Sequence, residues 1–210
     1  MNKRFFLAAT VPLMMALAAL PLAVSAQTQV EAPDAQVKRI AEEMLVIVRS
    51  DPKVQAGDPA RVREVLDDKL LPHFDFRRMV MLAMGRNWRL ATPEQQKELV
   101  EQFRMLLVRT YSGALAQFRD DTINVKPLRL RPDAKEVTVY TEVIRPRMAP
   151  VPVDYDLVLS SDGKWRCYDV IVGGVSLVTN YRDDFNQQVK IGGVEGLLTT
   201  LTAKNKGVTP

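Results

Sequence analysis

The chain has 210 residues, with 29 Lys and Arg against 25 Asp and Glu, one His and one Cys, and a formal net charge of +4. A single thiol excludes an internal disulfide framework, and a lone His and a lone Cys far apart leave only scattered carboxylates for a metal. So slight a positive excess is not a nucleic-acid footprint, and the fold has to be held by its apolar interior.

The N-terminus places Lys3 and Arg4 before an apolar run from Phe5 to about Val24, with Val24 and Ala26 at the −3 and −1 places of a cleavage site. That order predicts a secretory signal peptide over residues 1–26. A retained membrane anchor is the rival, because the run is nearly long enough to span a bilayer; Pro12, Pro21 and the small-residue end favour cleavage. Loss of Lys3 and Arg4 leaves 27 basic against 25 acidic residues, a net charge of +2. A single α+β domain is expected over 27–205, with a frayed tail over 206–210.

Val37, Ile40, Ala41, Met44, Leu45 and Val48 recur at three- and four-residue intervals, so Asp34–Arg49 reads as an amphipathic helix. A second helix begins with Asp58 as N-cap and Pro59 at its first position, carries Val62, Val65, Leu66 and Leu70 on one side, and ends at Pro72. A short helix follows within His73–Gly85. The next is long: Thr92, Pro93 and Gln95 form a capping box, and Leu99, Phe103, Leu106, Leu107 and Tyr111 share a face.

From Thr122 the pattern changes to alternation broken by turn residues, which predicts four antiparallel strands over Thr122–Leu130, Glu136–Arg145, Val151–Ser160 and Lys164–Val172. Asp162-Gly163 joins the last two as a hairpin. A two-residue turn would set Tyr168, Val170 and Val172 on the face of Leu157, Tyr155 and Val153, whereas a three-residue loop would turn Trp165 and Cys167 inward. The sequence leaves both registers open. Two further helices are expected, Ser176–Lys190 and Val194–Lys204, separated by Gly192-Gly193. Helices, then a twisted sheet, then helices make an α+β layered fold whose sheet curls into a cone or groove around an apolar ligand site.

Catalytic patterns are missing. "GVSLV" around Ser176 has Val178 where a nucleophile elbow needs glycine, so Ser176 reads as a helix cap. Cys167 reads as a buried hydrophobe, and His73 as a helix-flanking residue. Tyr168 and Asp169 would suit an isomerase-like pocket, but neighbours on a strand point to opposite faces; Asp169 is expected to pin the turn after its strand instead. Neither Gly173-Gly174 nor Gly192-Gly193 has the spacing of a phosphate cradle.

"TPEQQKELVEQFRMLLVRTYSGAL" from Thr92, "W-x-x-YDV" from Trp165, "GGVSLVTNYRDDF" from Gly173 and "GGVEGLLTTL" from Gly192, with "LLPHFDF" from Leu70, together resemble the MlaC or toluene-tolerance family of periplasmic phospholipid-binding proteins. The likeness runs from about Gln36 to Leu201. It implies an NTF2-like cone with a four-stranded sheet and an apolar cavity, and a soluble, non-enzymatic carrier without cofactor or metal. Such a carrier would exchange phospholipid with an inner-membrane ABC transporter complex through its MCE-domain subunit, and with an outer-membrane lipoprotein–porin complex. Under that reading the cavity wall is expected to include Val153, Tyr155, Leu157, Val170, Val172, Val175 and Leu177, with Phe76, Met79, Val80, Phe103, Leu107 and Tyr111 from the helices. Tyr181 and Arg182 are candidates for head-group contact. Two other classes compete: an adaptor docking a partner segment in the groove, and a small-molecule isomerase on the same cone.

Overall fold

The structure, a computed structural model, describes residues 30–115 and 118–207. The signal peptide expected over 1–26 lies outside them. Helix α1 (Pro33–Ser50) buries Val37, Ile40, Met44 and Val48, so the expected stripe is the packed face. Buried Gln36 on the same face donates from Nε2 to the Trp165 carbonyl at 2.8 Å, fastening the helix to the sheet.

After the single turn α2 (Pro52–Gln55), α3 (Pro59–Val65) starts as expected, with the Asp58 carboxylate accepting from the Arg61 N–H. It does not stay α-helical to Leu70, because Leu66–Leu70 forms a π-turn and Leu71–His73 a 3-10 turn. Pro72 has no N–H to give, and its ring crowds the carbonyl four residues back, so the chain widens before it stops. Asp75 then caps α4 (Phe76–Met84), which Gly85 closes. The Asp75 N–H donates to the Cys167 carbonyl at 2.8 Å, holding this connection against the sheet.

In α5 (Pro93–Leu115) the capping box is complete: Thr92 N–H donates to Gln95 Oε1 at 3.0 Å and Gln95 N–H to Thr92 Oγ1 at 3.2 Å.

Among the described residues six strands form where four were expected: β1 (Thr122–Val125), β2 (Glu136–Val139), β3 (Thr141–Ile144), β4 (Val151–Leu159), β5 (Trp165–Val172) and β6 (Val175–Ser176). Their order is β1-β3-β4-β5-β6, with β2 also paired to β4. Strand β1 ends at Val125, five residues earlier than expected, two residues before a proline that has no N–H for a ladder.

Strands β2 and β3 are the halves of one expected strand, broken at Tyr140. The register on β4 does not slip, since Val139 faces Tyr155 and Glu142 faces Pro152. At the break the fully buried Thr141 donates its hydroxyl to the Val153 carbonyl, and the Tyr140 carbonyl accepts from Lys126 N–H at 2.9 Å. The sheet therefore bends without losing alternation. The extra strand β6 follows from Gly173-Gly174: Val172 faces Val175 across a two-residue hairpin turn in which both glycines have positive φ, 58° and 84°.

Both hairpin registers left open by the sequence occur. Beyond β4 the Ser160 N–H donates to the Lys164 carbonyl at 2.9 Å and closes a three-residue loop over 161–163, with Gly163 at φ 77°, which sets Leu159 opposite Trp165 and Leu157 opposite Cys167. Tyr168 is then a bulge, after which Tyr155 faces Val170 and Val153 faces Val172. Trp165, Cys167, Val170 and Val172 thus share one face of the sheet.

The C-terminal segment is continuous as α6 (Leu177–Lys206) but kinks at Gly193, between the two helices expected there. It runs through Lys206 to a Gly207 cap, so the tail expected from 206 begins no earlier than 208, outside the described residues. Among the described residues three apolar clusters result: α4, α5 and α6 around Phe103 and Phe185; α1 against α3 around Val48 and Val54; and the sheet face around Leu157 and Trp165.

Candidate functional site: an apolar double hollow

Between the three clusters the packing is incomplete. One hollow of about 430 Å³ lies between α1 and the inner face of the sheet, and a second of about 410 Å³ lies between α5, the π-turn and the β5–β6 hairpin. Each falls within the usual size range of a small-molecule site. They adjoin, because Leu70, Phe74, Val170 and Val172 line both.

The space exists because β3, β4 and β5 present mainly valine across from α1, where Ala41 interrupts the row of larger residues. Short branched side chains leave a gap that Leu or Phe would fill. Exposed apolar residues mark the rim: Met148 at 58 % and Val172 at 49 % for the first hollow, Val175 at 62 % and Tyr111 at 48 % for the second.

Of the wall residues expected from sequence, Val153, Tyr155 and Leu157 line the first hollow, Val170 and Val172 line both, and Phe76, Leu107, Tyr111, Val175 and Leu177 line the second. Met79, Val80 and Phe103 line neither. They are fully buried among α4, α5 and α6, where Phe103 meets Tyr181 and Phe185 edge-on, with ring centroids 5.0 and 5.6 Å away. Tyr181 packs into that cluster, and Arg182 is exposed; neither borders a hollow. Burial pushes the Tyr181 phenol up to about 12.

The largest contribution that sequence reasoning missed is α1 itself, whose Val37, Ile40, Ala41, Met44, Leu45 and Val48 form one whole wall. The stripe was legible, but what it faces was not. His73 also borders the first hollow, and burial holds its imidazole below the ordinary histidine value.

The polar chemistry nearby is structural. Asp169 accepts from Val170 N–H at 2.8 Å and Val178 N–H at 3.0 Å and from the Ser176 hydroxyl, pinning the turn into α6. Ser176 in turn caps α6 by accepting from Thr179 N–H at 3.0 Å. Tyr168, on the bulge, lies under the Arg78 guanidinium at 4.2 Å and donates to Glu136 Oε2 at 3.3 Å. Tyr168 and Asp169 do not converge on either hollow. The Cys167 thiol contacts the Asp169 carbonyl at 3.1 Å, and burial raises it far above the range of a reactive thiolate. Among the described residues no cluster of His, Cys, Asp or Glu is placed to hold a metal, and no helix is long and apolar enough to cross a membrane.

A family model described as MlaC protein matches residues 38–203. The chain belongs to the MlaC family. It is 30 % identical over 183 residues to the toluene tolerance protein ttg2D of Pseudomonas putida, covering 86 % of this chain and 82 % of that one. Against the intermembrane phospholipid transport system binding protein MlaC of Haemophilus influenzae it is 20 % identical over 172 residues, covering 81 % and 79 %. Among solved structures, the phospholipid-binding protein from Ralstonia solanacearum, in complex with a phospholipid, superposes with a TM-score of 0.77 at 36 % identity, covering 83 % of this chain and 97 % of that one. The α+β architecture, with helices backing an open antiparallel sheet, is thus the family's fold.

Proposed function

We propose that this protein is a periplasmic phospholipid carrier, exported by cleavage after Ala26, with a mature domain over 27–205. It takes up the acyl chains of a phospholipid in the double hollow and moves the lipid between inner and outer membranes as the soluble component of an ABC-type transport system. Its partners on this reading are the MCE-domain subunit of the inner-membrane complex and an outer-membrane lipoprotein–porin complex. The carrying observation is the pair of adjoining apolar hollows, open to solvent and sharing the wall of Leu70, Phe74, Val170 and Val172. The phospholipid in the Ralstonia solanacearum relative supports the choice of cargo.

The physics favours such a design. At about 0.8 kcal/mol per methylene, a two-chain lipid with roughly thirty of them faces a barrier on the order of 20 kcal/mol to cross water unaided. A carrier removes that barrier, and to release its cargo it should match a bilayer interior rather than surpass it. Loosely packed valine walls without a dense polar set do this. We assign acyl contact to Val153, Tyr155, Leu157, Val170 and Val172 in one hollow and to Phe76, Leu107, Tyr111, Val175 and Leu177 in the other. Met79, Val80 and Phe103 support the wall from behind.

Protein purified from a Gram-negative host without detergent is expected to yield phospholipid on chloroform extraction and mass spectrometry, near one lipid per chain. Repeatedly empty extracts would refute the carrier.

A further inference from the structure

Among the described residues, the walls of the two hollows contain a single ion pair, Asp121 with Arg145, and it stands in the first hollow. Asp121 is almost completely buried, at 2 % exposure, just before β1. Its backbone is clamped to the end of α1: Arg49 Nη2 donates to the Asp121 carbonyl at 2.8 Å and Arg49 Nε to the Arg119 carbonyl at 3.0 Å. Its carboxylate accepts from Arg145 Nε at 3.1 and 3.2 Å and from Nη2 at 2.9 Å.

These bonds occupy one edge of the guanidinium. The Nη1 edge has no hydrogen-bond partner among the described residues, and the Arg145 side chain keeps 38 % of its surface exposed. Arg145 directly follows β3, in a turn whose Met148 N–H donates to the Arg145 carbonyl at 3.2 Å. Met148, 58 % exposed and also on the wall, marks this as the mouth. A guanidinium is therefore fixed where an apolar hollow meets water, one edge held and one edge free.

That arrangement suits a phosphodiester. A planar fork gives two parallel hydrogen bonds to phosphate oxygens, and an orienting carboxylate removes the cost of ordering it. The Asp121–Arg145 pair is itself neutral, and Arg49, which donates to the Asp121 carbonyl and makes no ion pair among the described residues, adds a positive charge beside it. The second hollow has no charged residue on its wall, and Arg182 borders neither hollow.

We propose that Arg145, oriented by Asp121, anchors the phosphodiester of the bound lipid at the mouth. This rests on the carrier reading above and gives it a polarity: chains inward past Val151 and Val153, phosphate at the β3–β4 turn.

The test compares two fluorescent probes with identical acyl chains, phosphatidylglycerol and diacylglycerol, titrated onto wild type, Arg145→Gln and Arg145→Lys. Loss of a charge-assisted contact predicts roughly tenfold weaker binding of phosphatidylglycerol by Arg145→Gln. Diacylglycerol binding should stay unchanged, and Arg145→Lys should recover part of the loss. Millimolar inorganic phosphate should not displace the phosphatidylglycerol probe; displacement would mean a free-phosphate site and overturn the lipid anchor. Equal loss for both probes, or loss for neither, would make Arg145 a structural ion pair only and overturn the proposal while sparing the carrier. Wild type that takes up neither probe would overturn both.

Discussion

Val153→Glu separates a lipid-holding hollow from ordinary core. Val153 faces Val172 across the β4–β5 ladder, and both border the first hollow. While the hollow is empty and open to solvent a glutamate there can stay hydrated, so the fold should survive. An entering acyl chain displaces that water. Keeping the carboxyl neutral at pH 7, about 2.7 units above its ordinary value of about 4.3, costs about 3.7 kcal/mol. Leaving it charged against hydrocarbon costs more. Residual hydration at the mouth reduces the penalty, so we expect about 2–3 kcal/mol, or roughly 30- to 150-fold weaker lipid binding at pH 7. Lipid entry then takes up a proton, so the defect should shrink as pH falls toward about 4.5. Val46→Glu is the internal control: it is 61 % exposed on α1 and borders neither hollow, so its carboxylate remains in water and an effect within about twofold is expected. Both variants are assayed by displacement of a fluorescent phospholipid, with circular dichroism melts to verify folding. A folded Val153→Glu that binds lipid like wild type at pH 7, or a Val46→Glu as impaired as Val153→Glu, would refute the reasoning.

Phe103→Ala, in the helical cluster behind the wall, should cost about 3–5 kcal/mol in denaturant unfolding; a loss below about 1 kcal/mol would mean that Phe103 is not the core residue its burial indicates. Thr92→Ala removes one half of a reciprocal capping box and should lower stability by about 1 kcal/mol, lowering Tm by about 2–4 °C; an unchanged melt would contradict the cap. His73 is held below its unfolded value of about 6.5, so its neutral form is favoured by folding. Its contribution is present above that pH and is lost as pH falls through the window below it. Between pH 7.5 and 5.5 the wild type should therefore lose stability more steeply than His73→Gln, and parallel curves in denaturant titrations would refute this.

Local chemistry determined much of this protein directly from its sequence. Asp58-Pro59, the Thr92–Gln95 box and Ser176 start helices in the structure because caps act within one turn on backbone groups that have no other partner. The glycines at 192 and 193 mark the kink in α6, and the alternation over β4 identified its inner face. Tertiary structure decided the rest. The bulge at Tyr168 reconciles a three-residue hairpin loop with an inward Val170 and Val172, and no local signal distinguishes it from an unbroken strand. The break at Tyr140 likewise depends on what Thr141 meets on β4. Most of all, periodicity reports that a face turns away from water, not whether anything fills the space before it. Phe103 and Leu107 lie one helical turn apart on the same stripe of α5, yet one is sealed among three helices and the other borders a hollow. A cavity belongs to the distance between two faces, and that distance is fixed only when α1, the bent sheet and α5 have packed.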